Sequence, residues 1–223
     1  MNIKLFLQAI IKYVFGVLIV GGLLFIPANS FEYWNAWLFM VLLFIPMFIA
    51  GIALMIKNPE LLRKRLNAKE QENEQKWVLL FSGLMFITGF IVAGLNYKYK
   101  WIEMPNTVTI ISSILFIIAY VLYAEVLREN TYLSRTIEVQ DNQKVIDTGL
   151  YGIVRHPMYA VTILLFLTIP LILGSIISFI IFLVYPIIIA KRIKNEEIIL
   201  ERDLKGYKEY KNKVKYKIIP LIW

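Results

Sequence analysis

Cysteine is absent from the 223-residue chain. That excludes disulfides, thiolate metal sites and a cysteine nucleophile. Histidine occurs once, at His156, so a histidine metal centre or a Ser-His-Asp triad would rest on that residue alone. Aspartate occurs three times, at Asp141, Asp147 and Asp203. Much hydrolytic and metal-dependent chemistry is therefore disfavoured, and no metal site is expected. Charge is scarce too: 18% of residues are Asp, Glu, Lys or Arg, against 59% hydrophobic, with a mean hydropathy of +0.65. A soluble domain of this length could not hide so much apolar surface in one core. A bilayer removes the difficulty, because lipid replaces water around the apolar faces.

Four apolar segments stand apart, roughly Leu5–Pro27, Trp34–Ile56, Trp77–Asn96 and Thr107–Leu127. Each approaches the ~20 residues that a helix needs to cross ~30 Å of hydrocarbon. The first is long for the ~7–15-residue apolar core of a signal peptide, so it reads as a retained span. A fifth segment, Met158–Ala190, is too long for one ordinary crossing. Pro170, Gly174 and Ser175 lie near its middle, where a helix would break and reverse. Two rather short, tightly connected helices are expected there, giving six crossings in an all-α polytopic membrane protein with a C-terminal helix beyond them.

Positive charge is distributed unevenly. Segment 57–76 holds six Lys or Arg, 128–157 holds four and 191–223 holds ten, whereas the opposite side has only Lys98 and Lys100. The positive-inside rule then places both termini and the two larger connections in the cytoplasm, with the protein in the cell membrane. The net charge of +8 reads as a topology signal and a contact with anionic lipid headgroups. No nucleic-acid-binding motif accompanies it, so no nucleic-acid partner is expected. The chain divides by character into four spans over 1–127 and a region over 128–223, where polar and aromatic residues suited to chemistry concentrate.

Three pieces of that second region stand out. One is Val139-Gln140-Asp141-Asn142-Gln143-Lys144-Val145-Ile146. Another is Gly149-Leu150-Tyr151 followed by Arg155-His156-Pro157-Met158-Tyr159. The last is Arg192 with Glu196 and Glu197, followed by Leu200, Leu204, Tyr207 and Tyr210. Pro157 suits the first turn of a helix, and His156 before it is pushed out of helical geometry. His156 is then held beside helix N–H groups that favour an anion. A hairpin would return Arg192 and Glu196, four residues apart on one helical face, to the level of His156. Each piece alone has an ordinary reading. Arg155-His156 could be an interfacial anchor, Arg192–Glu196 an i,i+4 pair worth ~0.3–0.5 kcal/mol, and the tyrosines an aromatic belt. Glu125, near the end of the fourth span, reads as a snorkelling side chain.

Taken in order, the run Gly-x-Tyr-x-x-x-Arg-His-Pro-x-Tyr, the apolar hairpin, Arg-x-x-x-Glu-Glu-x-x-Leu and Tyr-x-x-Tyr resemble the isoprenylcysteine carboxyl methyltransferase family. Related phospholipid methyltransferases share much of this plan. The resemblance covers about residues 128–220, and Asn58-Pro59-Glu60-Leu61-Leu62 before a basic cluster looks like bacterial members. It implies an S-adenosyl-L-methionine pocket at Gln140, Gln143, Lys144, Val145, Ile146, Tyr151, His156, Pro157, Met158, Tyr159 and Glu196. Arg192 would hold the carboxylate of a lipidic or prenylated substrate, with Arg192 and His156 as the catalytic pair. Gln143 stands where eukaryotic members have histidine, the loop after Gln140 is shorter than theirs, and Tyr216 falls where a basic residue is common.

Methyl transfer from a sulfonium is an in-line displacement that needs alignment and exclusion of water. An ionised carboxylate needs no general base, which fits the scarcity of His and Asp. An amine or phenol acceptor would need one, and His156 or Glu197 would then serve. Phospholipid or amine N-methylation is thus an alternative. So are a membrane NADPH-dependent reductase of the sterol type and a non-catalytic lipid-binding protein.

Overall fold

Where apolar runs cross hydrocarbon, every backbone polar group has to be satisfied within the protein, and helices do so segment by segment. The computed structural model describes residues 3–66, 73–133, 139–140 and 142–223, with the side chains of 73–75 left aside. Asp141 of the polar stretch, and Lys69 and Arg135 of the two basic connections, lie outside the described residues. All regular structure among the described residues is helical. The four predicted spans are α1 (Ile3–Ala28), α2 (Trp34–Lys57), α4 (Asn73–Tyr99) and α5 (Asn106–Glu129). A short α3 (Pro59–Leu66) lies between the second and third. It starts where Pro59 follows Asn58, whose side-chain oxygen accepts the Leu61 N–H at 3.0 Å.

The fifth apolar segment does break and reverse, with one difference from expectation. The first arm, α6 (Pro157–Ile172), is short, and Pro170 lies inside its last turn without ending it. The break falls at residues 173–175, where Gly174 takes φ +71° and Ser175 accepts the Ser178 N–H to start α7 (Ile176–Phe182). The second arm is not short. After a kink at Leu183, α8 (Val184–Asp203) continues well beyond the apolar run, because Lys191–Asp203 supplies good helix formers with charges spaced along it. Five helices are long and apolar enough to cross a membrane, the last formed by α7 and α8 together. The chain is an integral membrane protein. A final helix, α9 (Tyr207–Lys213), leads into the tail.

At 16 residues, α6 is only about 24 Å long, less than the ~30 Å hydrocarbon thickness. Its turn therefore lies inside the bundle, where an unpaired carbonyl is costly. Side chains from the opposite ends of other helices satisfy it. The buried Tyr33 hydroxyl donates to the Leu173 carbonyl at 2.5 Å, and Asn35 Nδ2 to the Ile172 carbonyl at 2.8 Å. Asn96 Nδ2 donates to the Gly174 carbonyl at 3.4 Å. Below this polar bracket the core is aromatic: Phe86 meets Phe166 and Phe182 edge-on, with centroids at 4.8 and 5.3 Å. Gly94 lets α4 close on α1, since a Cβ there would stand 2.6 Å from the Leu24 carbonyl oxygen.

Removing one bracket donor strands a buried carbonyl. Tyr33→Phe and Asn35→Leu should each cost about 1–3 kcal/mol, read as a lowered midpoint of thermal unfolding in detergent. Conservative changes on lipid-facing α1 positions such as Ile11→Leu should leave that midpoint in place.

Candidate active site

The segment entering α6 is shaped by a tight turn. Gly149 adopts φ +52°, and a Cβ there would run into the Glu129 carboxylate, which also takes the Thr148 hydroxyl. The turn through Gly152 drops Tyr151 into the protein. Its hydroxyl accepts from Asn130 Nδ2 at 3.1 Å, and its carbonyl accepts from the Tyr210 hydroxyl at 2.7 Å. The next residues pair with the tail: the Arg155 and His156 N–H groups donate to the carbonyls of Tyr216 and Lys217 at 2.9 and 2.8 Å.

Glu197 is the node of this arrangement. It is 5% exposed and Arg155 is 6% exposed, with Arg155 Nε donating to Glu197 Oε1 at 2.8 Å. His156 Nε2 lies 3.3 Å from the same oxygen, and Lys217 Nζ lies 3.2 Å from Oε2. The other arm of Arg155, Nη1, donates to the Val214 and Lys215 carbonyls at 2.7 and 2.8 Å. One carboxylate thus ties α8, the loop before α6 and the tail. Most of its lone pairs and most of the guanidinium donors are used, the condition under which a buried ion pair is tolerated.

One turn away, α8 turns a second polar pair toward open space. Arg192 Nε donates to the Tyr159 hydroxyl at 2.9 Å, and that hydroxyl donates to Glu196 Oε2 at 2.5 Å. Tyr159 therefore bridges the Arg192 and Glu196 that the sequence placed on one face. These three line a cavity of about 900 Å³. Gln143, Lys144, Val145, Ile146, Tyr151, His156 and Met158 line it as well. Of the residues singled out from sequence, Gln140 and Pro157 do not. Gln140 holds the loop instead, donating to the Tyr132 carbonyl and pairing with Lys64 and Gln143. Pro157 is buried at the first position of α6.

The cavity is larger than the second region alone. Leu200, Leu204, Tyr207 and Tyr210 line it on one side and Phe6, Tyr13, Met47, Ile52 and Phe86 on another, with Arg65 beside Met158. Tyr207 and Tyr210, the Tyr-x-x-Tyr of the sequence pattern, had been assigned no role beyond a possible interfacial belt, and they line the cavity. Tyr207 is 4% exposed, and its buried hydroxyl has no hydrogen-bond partner among the described residues. Burial pushes that hydroxyl well above the ordinary phenol range, so it remains a proton donor at physiological pH. Tyr151 and Tyr210 are shifted the same way, first by burial. Arg155 and the N-terminal lining carried no periodic signal at all.

Glu197→Gln should expose the cost of an uncompensated Arg155. About 3–5 kcal/mol of stability should be lost, and the tail, no longer clamped through Val214 and Lys215, should be cut by trypsin at Lys211–Lys217 faster than in the wild type. Gly149→Ala should also destabilise, but without that tail-specific cleavage.

Residues 110–202 match the model of the isoprenylcysteine carboxyl methyltransferase (ICMT) family. No curated protein matches the chain. The matched segment runs from α5 to the end of α8 and carries the turn at Gly149, the Glu197 node and the Arg192–Tyr159–Glu196 wall. Over that segment, about two-fifths of the chain, the protein is similar to the isoprenylcysteine carboxyl methyltransferase family.

Proposed function

We propose that the chain transfers the methyl group of S-adenosyl-L-methionine to the carboxylate of a lipidic or prenylated acceptor at the cytoplasmic face of the cell membrane. One observation carries this reading: the Arg192–Tyr159–Glu196 wall faces a cavity with one polar, aromatic end and one apolar end.

The residues present suit the donor. Glu196, on the cavity wall, is the acidic group for its ammonium. The unpartnered Tyr207 hydroxyl is a donor for a carboxylate or hydroxyl. Val145, Ile146, Leu200 and Leu204 provide an apolar bed for a flat base. The faces of Tyr151 and Tyr159 favour a cation. When bound, the donor supplies an electrophilic methyl group on a sulfonium. Residues 128–223 are the region that performs this chemistry, with the spans of 1–127 supporting the acceptor.

Arg192 orients the acceptor. Its Nε is committed to Tyr159, and Tyr159 is fixed in turn by Glu196, so the guanidinium plane is set before a substrate arrives. A planar fork holding a carboxylate bidentately fixes the attacking oxygen, as an ammonium could not. That alignment, in a site screened from water, is the main contribution required of the protein. An acceptor carboxylate is already ionised, so no proton need leave. An amine acceptor would require a base, and the two candidates, His156 and Glu197, face each other within the node. That arrangement supports O-methylation over N-methylation.

S-adenosylhomocysteine should raise the thermal midpoint of the detergent-solubilised protein, and NADPH should not. Arg192→Ala should lower kcat/KM for the acceptor by at least about a hundredfold, roughly 2.7 kcal/mol, while keeping the S-adenosylhomocysteine stabilisation. Full turnover by that variant would reject the assignment. The absence of cysteine allows a direct test of orientation. In intact cells a membrane-impermeant maleimide should label Lys98→Cys and leave Lys208→Cys unlabelled until the membrane is opened.

A further inference from the structure

Arg65 is a cation on the cavity wall whose neighbours do not neutralise it. It projects from α3, is half-buried and lines the same cavity as Arg192. Its Nη2 donates to the Tyr123 hydroxyl, its guanidinium stands 5.6 Å from the centre of the Tyr123 ring, and Nη1 lies 4.0 Å from the Met158 sulfur. A phenol and a thioether are both neutral. No carboxylate lies within ion-pair distance of Arg65 among the described residues. Partly desolvating a guanidinium without a counter-ion is unfavourable, and a cavity that keeps one there is suited to an anion. Met158 and Tyr159 are consecutive, so the residue beside Arg65 adjoins the residue that holds Arg192.

The space leading away from this pair is apolar and open to lipid. It follows α2 from Ile56 to Leu43, about 20 Å of helix, more than the ~15 Å of one leaflet. Phe48, Ile52 and Ile56 line this arm and are exposed, as a lateral opening beside α2 would leave them. The helix that carries Arg65 is fixed at the mouth of the arm. Lys12 Nζ donates to the Leu66 carbonyl at 2.6 Å, Lys64 pairs with Gln140, and Leu61 and Leu62 are buried.

We propose that Arg65 is a specificity-determining residue which, with Arg192, holds the negative head of the acceptor while its apolar chain lies in the arm along α2. The acceptor is then an anionic amphiphile, entering from the leaflet chain-side first. This rests on the methyltransferase reading of the site, and it assigns to α3 the selection of head charge. A carboxylate and a phosphate monoester share the chemistry that two guanidiniums recognise.

The test compares binding of palmitate, its methyl ester and hexadecyl phosphate to the full chain in nonionic detergent, by quenching of intrinsic fluorescence. Palmitate should bind at least about tenfold more tightly than the ester. Arg65→Gln should bring that ratio close to one, and Arg65→Lys should retain part of it. Hexadecyl phosphate binding like palmitate would mean that the head is selected by charge. Binding like the ester would mean that it is selected as a carboxylate, and both outcomes uphold a role for Arg65. A wild-type ratio near one, or an unchanged ratio in Arg65→Gln, would overturn the proposal. S-adenosylhomocysteine stabilisation is measured on the same samples. Its retention in Arg65→Gln shows that the variant is folded; if it is lost, the Arg65→Lys ratio decides, a ratio clearly below that of the wild type being support and an unchanged ratio a refutation. Its absence from the wild type would reject the donor assignment while leaving the acid-to-ester ratio to judge Arg65.

Discussion

The polar end of this protein depends on one buried carboxylate. Glu197 receives Arg155, His156 and Lys217 at once, and those three residues belong to segments with no regular pairing of their own. Backbone N–H groups of Arg155 and His156 reach the tail only because the tail is held beside them, and Arg155 completes the clamp through Val214 and Lys215. An isolated buried ion pair is poor evidence for stability, since a hydrophobic substitute often does as well. Its value here is positional. It fixes the level of α8 against the start of α6, and so decides that Arg192 and Tyr159 meet.

A second constraint acts at the far end of the hairpin. Because α6 is shorter than the bilayer is thick, its C-terminal carbonyls end within the bundle, and Tyr33, Asn35 and Asn96 supply what water would supply elsewhere. The first spans are therefore not passive packing. They hold the hairpin's turn at one end, where Gly94 lets α4 approach α1 closely, and wall the cavity at the other.

Much of this was legible in the sequence, for identifiable reasons. Apolar runs gave the spans to within a few residues because hydrocarbon imposes length directly. Pro157 and the four-residue step from Arg192 to Glu196 gave local geometry that tertiary structure keeps. The second hairpin arm came out longer than expected because a helix continues wherever propensity allows, whether or not the residues remain apolar. Other features depend on partners far apart in the chain. Arg155 meets a glutamate 42 residues away, and Asn35 meets a carbonyl 137 residues away. No periodicity encodes such pairs. Gln140 illustrates the same point. Its place in the motif suggested the cavity, yet its side chain is used by Lys64 and Tyr132 to hold the loop.

On the proposed reading, the two reactants come from different solvents, and the architecture follows from that. A charged, water-soluble donor cannot be approached through hydrocarbon, and a chain-bearing acceptor cannot leave it cheaply, since each buried CH₂ is worth about 0.8 kcal/mol. One cavity with an aqueous-side end under α9 and a lipid-side arm along α2 resolves the conflict without moving either reactant far from its own phase. The demand then falls on the junction, where an anionic head has to lose water without losing its charge. Tyr159 meets it by presetting Arg192, and α3 meets it by holding Arg65 at the neck of the arm. The short amphipathic helix between the second and third spans is thus the structural link between membrane anchor and chemistry.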